Sequence, residues 1–300
     1  MGRKPDDVIR FRDRETGEVR TEVVMAEKAL RFLHVHPKGR KLTDLVLRHL
    51  TPNLLYGLYQ RSARSKRAIP SFIASLGIDA SEAERPAGDY RSLDDFFTRR
   101  LKPGARPLDA DPAHFVSPAD GRVLVYPRIE NGRMSVKGSR VTLRELLGDA
   151  ERAKVYDGGS AVVVRLAPPD YHRFHFPESG EAREAEKIGW HLYSVNPIAL
   201  QAGAPSFKNK RQVTVLETKA FGALLLLEIG ALGVGRIVQT FRAGPVQRGA
   251  EKGYFRFGGS TVMIVAPPGR LVLDEDLVDA SRTELETFVK MGTRIGRAGR

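Results

Sequence analysis

Apolar and polar positions follow two different periods along this chain. Between Ala29 and Leu76 apolar residues recur three and four apart, the spacing that lines one face of a helix. Ala29, Leu30, Phe32 and Leu33 predict a short helix ending before Pro37. Leu42, Leu45, Val46 and Leu50 predict another, closed by Pro52. Leu54, Leu55, Leu58 and Tyr59 open a further helix, and Phe72, Ile73 and Leu76 belong to one more. Ser92-Leu93-Asp94-Asp95 reads as a capping box for a helix from Leu93 to Leu101, with Phe96 and Phe97 on its buried face and Pro103-Gly104 after it. Ahead of these, Val8–Phe11 and Val19–Val24 predict a small hairpin across Thr16-Gly17.

From Phe115 the pattern shortens. Arg122–Tyr126, Val162–Leu166, Arg211–Leu216, Ala223–Ile229, Arg236–Phe241, Thr261–Val265 and Leu271–Leu273 are brief alternating or continuous apolar runs between Gly and Pro turns, which predicts strands. Only Leu143–Leu147 and Pro197–Leu200 look helical among them. The stretch from Ser281 reads as a polar, basic tail whose order the pattern leaves open. The expected architecture is α+β: an amphipathic helical region (1–104), a β-rich core of mainly antiparallel short strands (105–270) and a C-terminal tail (271–300).

Composition narrows the chemistry. There is no cysteine among the 300 residues, which removes disulfides, thiolate nucleophiles and Cys-based zinc sites. A net charge of +13 favours anionic partners. Lys38, Arg40, Lys41, Arg48, Arg61, Arg64, Lys66 and Arg67 crowd the helical region, with Asp44 nearly the only acid among them. A basic amphipathic helix suits an anionic bilayer surface; the alternative is a helical subdomain whose basic face is solvated. No nucleic-acid motif accompanies the charge. No run approaches the ~18 apolar residues of a spanning helix. The start, Met1–Asp7, lacks the apolar stretch of a secretory signal, and Asp6 breaks a myristoylation pattern. Membrane association is therefore expected to be peripheral.

Three loops carry candidate chemistry. Ser117-Pro118-Ala119-Asp120-Gly121 is a tight turn bearing one carboxylate, which by itself suits an Asx-turn. Asp170-Tyr171-His172-Arg173-Phe174-His175 holds two histidines behind Pro168-Pro169; a metal would need a third ligand that the pattern does not supply. Gly258-Gly259-Ser260-Thr261 interrupts a strand with two glycines and a serine. Alone it reads as a bulge. Together, Asp120, a histidine and Ser260 provide the members of an acid–base–nucleophile set. Gly230, Gly233 and Gly235 mimic a dinucleotide loop, but the order is wrong and no helix follows.

From Tyr90 to Pro267 the chain resembles the phosphatidylserine decarboxylase proenzymes. The resemblance rests on Phe96-Phe97-Thr98-Arg99, Ser117–Gly121, Tyr171–His175, Tyr193-Ser194-Val195-Asn196, Asn209-Lys210-Arg211, Val234-Gly235 and Gly258–Thr261, in order. Many members of that family have Leu-Gly-Ser-Thr where this chain has Gly258 first; another branch shares the Gly-Gly form.

The resemblance implies a self-cleaving proenzyme. Asp120 would orient His175, and His175 would deprotonate Ser260, which attacks the carbonyl of Gly259. Cleavage between 259 and 260 would leave a β chain, 1–259, and an α chain, 260–300, capped by a pyruvoyl group made from Ser260. That cofactor would form a Schiff base with phosphatidylserine, and loss of CO₂ would give phosphatidylethanolamine. His175 would also donate the proton, with His172 placed at the substrate carboxylate; the two histidines' roles are exchangeable at this level. The implied location is the cytoplasmic side of the cell membrane, peripherally bound, without nucleic acid or metal. A pyruvoyl decarboxylase of a soluble amino acid and a non-catalytic lipid-binding relative are the alternatives.

Overall fold

The structure is a computed structural model describing residues 8–25, 27–43, 50–136, 139–189, 191, 193, 194, 196–202, 208–231, 236–258 and 260–299. Met1–Asp7, Asp44, Leu45, Val46, Arg48, Val195, Gly233, Val234, Gly235 and Gly259, all named above, lie outside the described residues.

Ser260–Ala266 is an inner strand of a large sheet. Across that sheet the order is Gly244–Val246, Gly180–Ala182, Arg211–Thr218, Gly222–Gly230, Ser260–Ala266, Ser160–Leu166, Gly121–Tyr126, Glu286–Val289, Arg10–Asp13 and Val19–Thr21, with Glu186–Ile188 also pairing to Arg211–Thr218. Every pairing in it is antiparallel except that of Arg10–Asp13 with Glu286–Val289. The expected α+β class with a β-rich, mainly antiparallel core is what the chain forms.

The strand runs are apolar on both sides because both faces of the sheet are covered. Val162, Val164, Leu166, Leu224, Leu226, Val262 and Ile264 pack on one face with Phe115, Phe174 and Phe255. Those three rings come from two small three-stranded sheets, Ile237–Gln239/Glu251–Phe255/Arg173–His175 and Leu271–Leu273/Arg294–Ala298/His114–Val116. Val163, Leu225, Leu227, Met263 and Val265 face the other way, against the helices Leu143–Leu147 and Ala150–Val155.

The C-terminal stretch is built into this frame. Glu286–Val289 lies between Gly121–Tyr126 and Arg10–Asp13. Buried Arg165 fixes it there, donating to Glu286 at 2.7 Å and to Glu22 of the N-terminal hairpin at 2.6 Å. That contact spans more than a hundred residues of chain, so no local pattern announces it.

The helical region begins with Glu27–Val35 and Pro37–Leu42. Pro52 lies in the first turn of Leu50–Arg61 and so does not close a helix as expected, a position where its missing N–H is harmless. Ile69–Leu76 ends on Gly77 at φ 62. The helix expected over Leu93–Leu101 stops at Phe97, with the Thr98 hydroxyl donating to Asp94 O at 2.9 Å. Ile69, Phe72, Leu76, Tyr90, Phe96 and Phe97 form a third core whose last member is Phe257, three residues before Ser260.

Candidate active site

Ser260 opens its strand, paired on one side with Gly230 and on the other with Leu166. It is fully buried, and its Oγ has no hydrogen-bond partner among the described residues. Asn209 steadies one flank: its amide donates to Gly230 O at 2.8 Å and to Tyr193 O at 2.7 Å. Asp94 steadies the approach, accepting from the Phe257 N–H at 3.0 Å and from Arg256 at 2.5 Å. The capping box explains why Asp94 is available. Ser92 caps the helix and Asp95 reaches back to the Arg91 N–H, leaving the buried Asp94 to turn toward Arg256 and Phe257. The sequence shows the box but not this use of its middle residue.

His172 is reached from Leu166 through a tight turn. Asp170 holds that turn, accepting from the Ala167 N–H at 2.6 Å and from Arg122. His172 Nδ1 lies 2.9 Å from Asp170 O. A carbonyl only accepts, so Nδ1 carries the proton and Nε2 keeps its lone pair. Nε2 is buried without a partner among the described residues. Phe97 covers the ring at 3.9 Å and continues onto Phe257 at 4.7 Å. The His172 carbonyl accepts from the Phe255 N–H at 3.0 Å, which lays His172 along the segment leading to Ser260. Burial, with Arg99 and Arg122 near, lowers its pKa to about 3, so the imidazole is neutral.

His175 is differently engaged. Its Nδ1 lies 2.9 Å from Gly249 O and its Nε2 3.2 Å from the Tyr171 hydroxyl. The same reasoning puts the proton on Nδ1 and has Tyr171 donate to Nε2. Burial lowers the His175 pKa and raises that of Tyr171. The His175 N–H donates to Pro118 O at 2.7 Å, which joins it to the Asp120 turn through backbone. The Asp120 carboxylate itself accepts from Arg106, at 2.6 to 2.9 Å, and from the Met291 N–H at 2.8 Å. It is not an Asx-turn, and its charge acts on His175 through space.

Ser260, His172 and the Phe255–Phe257 approach are thus one neighbourhood, and Asp120 and His175 an adjoining one. Arg106 partners Asp120 and Tyr171 partners His175, and the sequence pattern indicates neither contact. Arg106 stands in a plain turn sequence. Tyr171 adjoins the histidine motif, which was its one available signal. The contacts tie Ser260 to His172 through Leu166 and the Phe255–Phe257 segment, and tie His175 to the small sheet that carries Phe255; a serine hydroxyl and neutral imidazoles are the groups that proton removal and nucleophilic attack use. Among the described residues no cluster of acids and histidines could hold a metal ion.

The sequence profile of the phosphatidylserine decarboxylase family matches residues 93–297. Similar curated proteins span almost the whole chain. A phosphatidylserine decarboxylase proenzyme of Fusobacterium nucleatum is 44% identical over 96% of this chain and 97% of its own length. Proteins of the same name from Chlamydia pneumoniae and Desulfitobacterium hafniense are 42% and 38% identical, each over 96% of this chain and at least 97% of their own. The matched span contains all three chemistry-bearing loops and the strands that seat Ser260, so the chain belongs to the phosphatidylserine decarboxylase family.

Proposed function

We propose that the protein is a self-processing decarboxylase of phosphatidylserine, with Ser260 as nucleophile and later as cofactor precursor. The position of Ser260 supports this above all: it is fully buried at the start of an inner strand, directly after Gly259, and its Oγ has no hydrogen-bond partner among the described residues. A neutral histidine takes the hydroxyl proton as Oγ attacks the carbonyl carbon of Gly259. The peptide C–N bond breaks, an ester forms, and the proton passes to the freed nitrogen. Loss of the Cα proton then expels Gly259 as a carboxylate and leaves dehydroalanine. Water replaces its nitrogen, releasing ammonia and leaving a pyruvoyl group.

Residues in place fit such a precursor: the sheet holds Ser260 on both sides, and dry surroundings keep water from competing early. A pyruvoyl carbonyl supplies an electron-withdrawing centre for the substrate amine as CO₂ departs. Around it, His175 holds and returns protons through Nε2 once Tyr171 releases it, Asp120 favours the charged ring, and His172 faces the reacting centre with Nε2. The division of labour between the two histidines belongs to this proposal.

Among the described residues no helix is long and apolar enough to cross a membrane. Phe32, Leu42, Leu55, Leu58 and Tyr59 are exposed on helices that also carry Lys28, Arg31, Lys41 and Arg61. This supports peripheral docking on the anionic cytoplasmic leaflet.

The deciding experiment is the mass of the purified chain under denaturing conditions. Fragments of 1–259 and 260–300 are expected from wild type, and one 33.3 kDa chain from Ser260→Ala. Uncut wild type without decarboxylase activity on phosphatidylserine vesicles would end the proposal, and activity on free serine alone would move it to a soluble substrate.

A further inference from the structure

Arg99 closes the Phe96-Phe97-Thr98-Arg99 segment, and the cleavage chemistry makes no use of it. Its side chain is buried beside His172: Nη2 donates to Asp170 O at 3.4 Å, the same oxygen that accepts from His172 Nδ1. Nη2 also donates to Pro169 O at 2.9 Å. Nε and Nη1 have no acceptor among the described residues.

Among the described residues no carboxylate bonds to this guanidinium. Asp120 and Asp170 act on it through space, but Arg106 and the Met291 N–H occupy the first, and Arg122 and the Ala167 N–H the second. The Phe96 ring lies 5.0 Å from Cζ and supports the cation without engaging those donors. A buried guanidinium with idle N–H groups and no counter-ion is unfavourable unless an anion meets it. The flat fork of arginine matches carboxylate or phosphate oxygens.

We propose that Arg99 grips the phosphodiester of the substrate headgroup, a reading that rests on the decarboxylase assignment above. The headgroup offers two anions. The carboxylate loses its charge as CO₂ leaves, so a cation fixed on it would stabilise the substrate more than the transition state. The phosphodiester keeps its charge throughout and joins the reacting serine to the lipid. Held by Arg99 beside His172, it orients the headgroup without opposing the chemistry.

The test uses full-length wild type, Arg99→Gln and Arg99→Lys. Self-cleavage is read first, by fragment mass. Binding of glycerophosphoethanolamine, which has the phosphodiester but no carboxylate, is then measured by calorimetry. Steady-state decarboxylation of phosphatidylserine in mixed micelles follows. Arg99→Gln should cleave, bind glycerophosphoethanolamine about 10- to 100-fold more weakly and raise KM by a similar factor, the value of a charged hydrogen-bond pair. Its kcat should stay within about threefold, the pattern of lost uniform binding. Arg99→Lys should recover part of both losses. Unchanged glycerophosphoethanolamine binding would overturn the proposal, whatever happens to KM or kcat. So would failure of both variants to cleave, which would place Arg99 in self-processing. If wild type itself neither cleaves nor decarboxylates, the functional assignment falls instead.

Discussion

Lys252 Nζ lies 2.9 Å from the Glu228 carboxylate, and both side chains are almost wholly buried. Glu228 stands across from Val262, two residues beyond Ser260, while Lys252 sits between Glu251, the Cα partner of His175, and Gly253. The pair therefore clamps the histidine-bearing small sheet to the serine-bearing large one. Gln239 completes it, donating to Glu228 at 2.7 Å and accepting from Lys252 at 3.1 Å. Burial raises the Glu228 pKa and lowers that of Lys252, each opposed by the partner. Lys252→Met should cost about 3–5 kcal/mol by stranding a buried acid, and Lys252→Met/Glu228→Leu should recover most of it. Urea unfolding in a Ser260→Ala background, where cleavage does not interfere, checks this; equal losses in the single and double variants would remove the clamp.

Gly258 has φ 140, a region that side chains avoid. Gly258→Leu, the residue of the other branch of the family, should therefore cost this chain about 1–3 kcal/mol in strain. The strain falls next to the bond that the proposed self-cleavage breaks, so fragment appearance on gels should slow as well. Cleavage at the wild-type rate would show that the backbone relaxes freely there.

Asp120 is bound by Arg106, whose pKa is raised by Asp120 and Glu82 against the effect of burial. Asp120→Asn should destabilise the fold by about 3 kcal/mol, since it strips a buried arginine of its main partner. Asp120→Asn/Arg106→Leu should restore much of the stability. If Asp120 also serves His175, self-cleavage will remain slow in the double variant even though the fold has recovered. Simultaneous recovery of folding and cleavage would make Asp120 structural only.

Burial lowers the pKa of His172 and His175 from the ordinary 6.5, His172 to about 3. The unfolded chain then binds protons that the folded one does not. Their stabilising effect is complete above pH 6.5 and falls with acid, for His172 down to about pH 3. The slope approaches about 1.4 kcal/mol per pH unit for each fully shifted histidine. Urea midpoints of Ser260→Ala should drop between pH 6.5 and 5, and Ser260→Ala/His172→Gln should show a shallower drop over the same range. An identical slope would place the acid sensitivity elsewhere.

The period of the apolar residues determined the strands Ser160–Leu166, Gly222–Gly230 and Ser260–Ala266 to within a residue or two, because continuous burial on two faces leaves a local signature. The motifs single out Asp120, His172, His175 and Ser260 as candidates. Partnership was not legible. Thr287 and Glu286 read as tail, yet they pair inside the large sheet because Arg165 and two neighbouring strands receive them there. Arg106 carries no pattern of its own, and the motifs that contain Asp94, Arg99 and Tyr171 give no sign of what those side chains bond to. Whether their polar atoms are bonded or bare depends on residues tens of positions away, and only the tertiary structure decides that, since hydrogen bonds and desolvation act across space while sequence periodicity reports one segment at a time.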